Sequence, residues 1–103
     1  TAYARGVQLL QKRKYAKALY ILNDYNDRNT VVAHLSLDHN ERAMELLATM
    51  PKDAVTEYLR AIACSRLGRK AEGREHFLEA CRLDGRMEYR GNLDPEIAEL
   101  LKQ

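Results

Sequence analysis

The sequence of 103 residues has no tryptophan, one phenylalanine, two prolines and two cysteines. Such a low aromatic content, beside 46% apolar and 31% charged residues, favours a compact helical protein over a β-sandwich or a disordered chain. Two cysteines are too few for a scaffold held by disulfides, so Cys64 and Cys81 are expected to be small buried packing residues, with a single bridge between them as the alternative. A chain of this length also argues against a two-domain enzyme.

The sequence also lacks a strong net charge and a long apolar run. Seventeen basic and fifteen acidic residues give a net charge of only +2, which disfavours nucleic-acid binding. No apolar run approaches the roughly 20 residues that span a bilayer, so we expect no membrane insertion by this segment. The chain begins at Thr1, with no Met and no basic-then-apolar leader, which indicates a part of a longer protein.

Apolar residues recur with helical spacing, and no alternating strand pattern competes with it. Tyr15, Ala18, Leu19 and Leu22 follow the i, i+3, i+4, i+7 rule, and similar stripes predict six helices in three pairs. Asp94-Pro95-Glu96 predicts the start of a short seventh helix through Leu101. The other expected boundaries are an N-cap at Asp38 or Asn40, a helix end at Pro51, and left-handed C′ residues at Gly68 and Gly85.

The second helix of each pair has a small residue four positions before a large apolar one. The three pairs are Ala18/Leu22, Ala43/Leu47 and Gly73/Phe77. Gly6, Val31 and Ala61 lie twelve residues before the three small residues, where the first helix of each pair would cross the second. Small side chains at a crossing allow two helices to pack closely.

This pattern resembles the tetratricopeptide repeat (TPR), although its spacings of 25 and 30 residues are shorter than the family's 34. The resemblance implies an all-α, right-handed superhelical array of three antiparallel helix hairpins. We therefore expect one TPR-like domain over 1–103, with units at about 2–26, 27–51 and 52–85 and a capping helix at 94–102. The closing segment is similar to tails on repeat regions of bacterial envelope proteins, which favours an extracytoplasmic compartment over the cytoplasm.

In this family the first helices of the units line a concave groove that binds partners. The resemblance implies a non-catalytic module that binds a peptide or protein segment there, with tyrosine and arginine as anchors at the edges. The groove positions are Tyr3, Val7, Leu10, Gln11, Arg28, Val32, Leu35, Ser36, Tyr58, Ile62, Ser65 and Arg66. A competing interpretation is that several of the apolar residues face neighbouring helices or a preceding repeat unit instead.

A second hypothesis is structural: the apolar end of the first unit stacks on another repeat or on a second copy of the chain. Enzymatic and metal-binding functions are not expected. Cys64 could pair with His34 or His76 as a catalytic thiol and base, and the two cysteines could bind a metal together with one histidine. These residues, however, show no short CxxC or HxxxH spacing, which would place ligands around one ion. We therefore expect no catalytic residue, no metal ligand and no cofactor.

Overall fold

The computed structural model describes residues 1–102, and this part of the chain contains eight helices and no β-strand. The all-α prediction is confirmed. The helices are α1 (Ala2–Gln11), α2 (Tyr15–Leu22), α3 (Arg28–Ser36), α4 (Asn40–Leu47), α5 (Ala54–Arg66), α6 (Lys70–Leu83), α7 (Arg86–Asn92) and α8 (Pro95–Leu101).

The chain divides into two compact units, Thr1–Thr49 and Met50–Gln103. Helices α1 to α4 belong to the first unit, and α5 to α8 belong to the second. The sequence prediction of a single domain draws no boundary here, because no linker rich in serine, glycine or proline marks the division. The division falls beside the expected end of the second repeat unit at residue 51.

The turns between α1 and α2, between α3 and α4, and between α5 and α6 share one backbone conformation. The second residue after each first helix is left-handed: Arg13 (φ 61), Asp38 (φ 60) and Gly68 (φ 76). The N–H of the following residue bonds to a carbonyl five positions earlier, in the pairs Lys14 to Leu9, His39 to His34 and Arg69 to Cys64. This is the Schellman way of closing a helix. The three left-handed residues are 25 and 30 residues apart, the same spacings as those between Ala18, Ala43 and Gly73.

Close packing of α1 on α2 organises the first unit. Gly6 is buried, and a Cβ at this position would lie 2.8 Å from Leu22 Cδ2, so only glycine allows this approach. Leu22 is itself fully buried. The Thr30 hydroxyl donates to the Leu22 carbonyl at 2.8 Å and joins the start of α3 to the end of α2.

In the second unit α5 and α6 form an antiparallel pair. Glu57, early in α5, contacts His76 of α6, whereas Cys64, later in α5, lies against Gly73, which comes before His76 in α6. The two helices therefore run in opposite directions. A Cβ on Gly73 would lie 3.1 Å from Cys64 Cβ and 3.3 Å from the Ala61 carbonyl oxygen. Glycine at this position therefore allows α6 to approach α5 more closely than a residue with a side chain would.

Helices α7 and α8 complete the core of the second unit. This core contains Tyr58, Ala61 and Ile62 from α5, Phe77 and Ala80 from α6, Met87 from α7, and Ile97 and Leu100 from α8. The Asp94 carboxylate caps α8 by accepting from the Glu96 N–H at 2.9 Å, and Pro95 is its first residue. The helix start predicted from Asp94-Pro95-Glu96 is confirmed.

Three of the expected boundaries are corrected. Helix α4 ends at Leu47 instead of Pro51, and α5 begins only after Asp53, whose carboxylate accepts from the Thr56 N–H at 2.8 Å. The N-cap of α4 is His39, with no side-chain cap bond, because Asp38 takes the left-handed position of the turn.

Gly85 is the third corrected boundary: it has φ −57 and precedes α7, so the left-handed end expected there does not form. The left-handed residue expected at Gly68 is confirmed. The closing segment contains two short helices where one was expected, because α7 is an additional helix before α8. Among residues 1–102, no helix has the length and apolar character needed to cross a membrane.

Substitution of Gly91 tests how tightly α7 packs on α6. A Cβ at Gly91 would lie 2.5 Å from two atoms of the Phe77 ring, which is itself buried and cannot easily move aside. We expect Gly91→Ala to lower the free energy of unfolding by about 1–3 kcal/mol in urea denaturation.

Gly85→Ala is the matched control, since Gly85 has nothing within 4 Å of such a Cβ and already has a helical φ. That variant should be as stable as the wild type, or more stable by up to about 1 kcal/mol. Equal stability of Gly91→Ala and the wild type would contradict the described packing.

Candidate functional site

The predicted groove residues of the first unit lie on α1 and α3, which contact each other. Tyr3, Val7 and Leu10 share one face of α1 and are half-buried, whereas Gln11 is exposed. On α3, Arg28 and Ser36 are exposed, Val32 is half-buried and Leu35 is buried. This face therefore combines partly accessible apolar side chains with polar ones, except at Leu35, which belongs to the interior.

Tyr3 joins the starts of α1 and α3. Its hydroxyl donates to Asp27 Oδ2, and Asn29 Nδ2 donates to the same hydroxyl oxygen at 2.7 Å. Asp27 also caps α3, because its other oxygen accepts from the Thr30 N–H at 3.1 Å. The bond to Asp27 raises the pKa of Tyr3. Burial opposes ionisation of Asp27, but the bonds from Tyr3 and Thr30 outweigh it and lower the pKa of this carboxyl group.

The predicted groove residues of the second unit are largely covered by α7 and α8. Tyr58 is 1% exposed and Ile62 is also buried, both in the core, which corrects the expectation that they line an open groove. The Tyr58 hydroxyl donates to Asp94 Oδ2 at 2.7 Å, and the Arg90 guanidinium lies 4.4 Å from the centre of its ring. Burial and the neighbouring Asp94 both raise the pKa of Tyr58.

Arg66 lies at the edge of the same face and is held by α8. Its Nε donates to Glu96 Oε1 at 2.8 Å and its Nη2 to Glu96 Oε2 at 3.3 Å, a two-pronged contact. Ser65 beside it is half-buried. Helices α7 and α8 of the same unit therefore already contact this face of α5.

His34 is a buried polar residue of the first unit. Its Nδ1 lies 3.1 Å from Nδ1 of His39, which is exposed, and its Nε2 is a buried nitrogen with no hydrogen-bond partner in the described structure. Burial lowers the pKa of His34, and the neighbouring His39 and Arg42 lower it further. Burial and the two neighbouring groups therefore all disfavour protonation of this imidazole.

Three potential metal ligands meet between α5 and α6. The Cys64 sulfur, a Glu72 carboxylate oxygen and a ring nitrogen of His76 lie within 4.8 Å of one another. Cys64 is fully buried, His76 is half-buried and Glu72 is exposed. The chemical classes of these donors are those that bind transition metals.

A buried carboxylate supports this cluster. Glu57, which is 1% exposed, places Oε2 at 2.6 Å from His76 Nδ1 and accepts from Arg60 Nη1 through Oε1 at 2.5 Å. Arg60 also donates to the Met50 carbonyl at 3.0 Å. Glu57, Arg60 and His76 thus form a connected polar network that fixes the position of the imidazole.

From the sequence, Cys64 and His76 were not expected to be metal ligands because they form no short CxxC or HxxxH motif, and Glu72 was not among the candidates. A signal was nevertheless present, since Glu72 and His76 are four residues apart on one helix face. Cys64 and Glu72 are each four residues from Gly68, at equal distances from the hairpin turn. An antiparallel pair of helices brings such positions together.

The two cysteines are unpaired. Burial and the neighbouring Glu72 raise the pKa of Cys64 to about 11, and burial also raises the pKa of Cys81. A nucleophilic cysteine requires a thiolate, so neither environment favours thiol catalysis at neutral pH.

Comparisons with family models, curated proteins and solved structures return no match to this chain.

The lowered pKa of the buried His34 predicts a loss of stability in mild acid. Its ordinary pKa of 6.5 applies to the unfolded chain and its folded pKa is lower, so the unfolded chain takes up the proton first. The contribution of His34 is complete above about pH 6.5 and is lost as pH falls through the folded pKa. We expect the urea midpoint to fall over this range, and to fall less steeply in His34→Gln.

The titration of His34 itself can be followed by NMR. A folded-state pKa above the ordinary value, or a urea midpoint that rises on mild acidification, would contradict the described environment of this imidazole.

Proposed function

We propose that this chain is a TPR-like helical repeat module that binds a peptide or protein segment without catalysing a reaction. The right-handed superhelical arrangement of three hairpins is part of the proposal. The observation that carries it is the left-handed turn at Arg13, Asp38 and Gly68, repeated at the spacing of the small residues. A common turn and a common crossing position support the interpretation of three related hairpins in one repeat series.

Contacts within the first unit fit the same interpretation. Helix α2 packs against both α1 and α3, α3 packs against α4, and the two first helices, α1 and α3, also touch. In stacked helix hairpins each helix contacts its neighbours in sequence, and successive first helices lie side by side. Tyr3 and Asp27 provide the polar contact between these two first helices.

The face of α1 and α3 in the first unit is the proposed binding surface. It contains the half-buried Val7, Leu10 and Val32, bordered by the exposed Gln11, Arg28 and Ser36. Partly exposed apolar side chains with polar neighbours suit an extended segment or an amphipathic helix. The matching face of α5 is excluded from the proposal, because Tyr58 and Ile62 are covered.

Charge distribution indicates what kind of segment would bind. Residues 1–49 contain seven basic and five acidic side chains, so this unit accounts for the net charge of +2 of the chain. Arg28 lies at the edge of the proposed surface. We therefore propose a partner segment that combines apolar residues with at least one carboxylate.

Peptide selection followed by calorimetry tests this proposal. Peptides selected from a random phage library on the full chain should lose at least about tenfold in affinity for Arg28→Glu, which corresponds to about 1.4 kcal/mol. Lys17→Glu is the matched control, since Lys17 is an exposed basic residue of α2 in the same unit, and it should bind like the wild type. Equal binding to all three proteins would contradict the proposed surface.

Self-association is a second candidate function, favoured by one observation. Tyr20 on α2 is 89% exposed and lies between two surface depressions of about 580 and 570 Å³, whose apolar lining includes Leu19, Leu9 and Ile21. An exposed aromatic ring beside such depressions could insert into a second copy. Light scattering over a dilution series distinguishes the two functions, because a stable dimer favours assembly.

A further inference from the structure

We propose that Cys64, Glu72 and His76 form a zinc site with three protein ligands and a fourth position open to water. This site is independent of the proposed peptide binding, because all three ligands lie in the second unit. The proposal is based on the mutual distances of the donors, on the buried carboxylate behind His76 and on the chemical nature of the three ligands.

The helix pair places the three donors around one point. Zinc binds sulfur, nitrogen and oxygen ligands at about 2.0–2.3 Å, so tetrahedral ligands lie roughly 3.5 Å apart. The three donors already lie within 4.8 Å of one another, and small side-chain rotations would bring them to that separation. Gly73, one residue after Glu72, allows α6 to approach Cys64 closely, because a Cβ on Gly73 would lie only 3.1 Å from Cys64 Cβ.

Glu57 provides the outer contact that metal-binding histidines usually have. A histidine ligand commonly donates its second ring N–H to a carboxylate, which fixes the tautomer and the orientation of the ring. Glu57 Oε2 lies 2.6 Å from His76 Nδ1, which leaves Nε2 for the metal. Arg60 balances the charge of this buried carboxylate, so Glu57 can accept a hydrogen bond from Nδ1–H of a metal-bound His76.

The ligand set favours zinc over other common ions. Calcium and magnesium prefer oxygen ligands, whereas a thiolate and an imidazole together are typical of zinc. Glu72 is exposed and His76 is half-buried, so the ion would be open to solvent on one side. The ion would also link α5 to α6 and stabilise the second unit when bound.

Cobalt and zinc titrations of the full chain test the site. Cobalt should bind in a 1:1 ratio and produce a thiolate-to-cobalt absorption band. The band should be lost in Cys64→Ser and retained in Cys81→Ser, the control on the second cysteine. Chelator competition with zinc should show affinity at least about tenfold lower for Glu72→Gln and about 10–100-fold lower for Glu57→Gln.

Glu75→Gln is the matched control for Glu72→Gln, because Glu75 is an exposed residue of the same helix outside the three-ligand cluster, and it should bind zinc like the wild type. Glu72 is exposed, so its substitution leaves the core unchanged and separates loss of a ligand from loss of folding. Circular dichroism would verify the fold of each variant. Absence of stoichiometric cobalt and zinc binding, or equal zinc affinity for wild type and Glu72→Gln, would overturn the proposal.

Discussion

The close approach of α5 and α6 at Gly73 is the constraint on which the second unit depends. A Cβ at this position would lie 2.9 Å from Leu100 Cδ1, 3.1 Å from Cys64 Cβ and 3.3 Å from the Ala61 carbonyl oxygen, so the neighbouring helices would have to shift to admit a side chain. Their close contact buries Cys64, aligns it with Glu72 and His76, and encloses Glu57 between the helices. Packing of apolar surface and the assembly of polar donors thus have one structural cause in this unit.

The two units differ in how exposed the predicted binding face of their first helices is. In the first unit, the face of α1 and α3 keeps Val7, Leu10 and Val32 partly accessible. In the second unit, α7 and α8 cover the corresponding face of α5 and engage Arg66 through Glu96. A peptide would have to displace these helices to reach α5, so the first unit offers the lower free-energy cost of binding.

Much of the fold could be predicted from local patterns, and much of the site could not. Helical periodicity, the glycine of the turn at Gly68 and the cap at Asp94 are local signals, and all three are confirmed. Arg13 and Asp38 adopt the same left-handed conformation as Gly68 without being glycine, so residue type did not reveal that these turns are equivalent. The burial of Tyr58 and the meeting of Cys64 with His76 depend on how helices distant in sequence pack, which periodicity alone does not determine.

Each unit contains an aspartate that caps one helix and accepts the hydroxyl of a tyrosine from the unit's first helix. Asp27 does this for α3 and Tyr3, and Asp94 does it for α8 and Tyr58. Fraying of either capped helix therefore weakens the docking of a distant helix, and release of the tyrosine weakens the cap in turn. This shared carboxylate couples the ends of the helices to the interior, so each unit should unfold cooperatively instead of melting gradually from its helix termini.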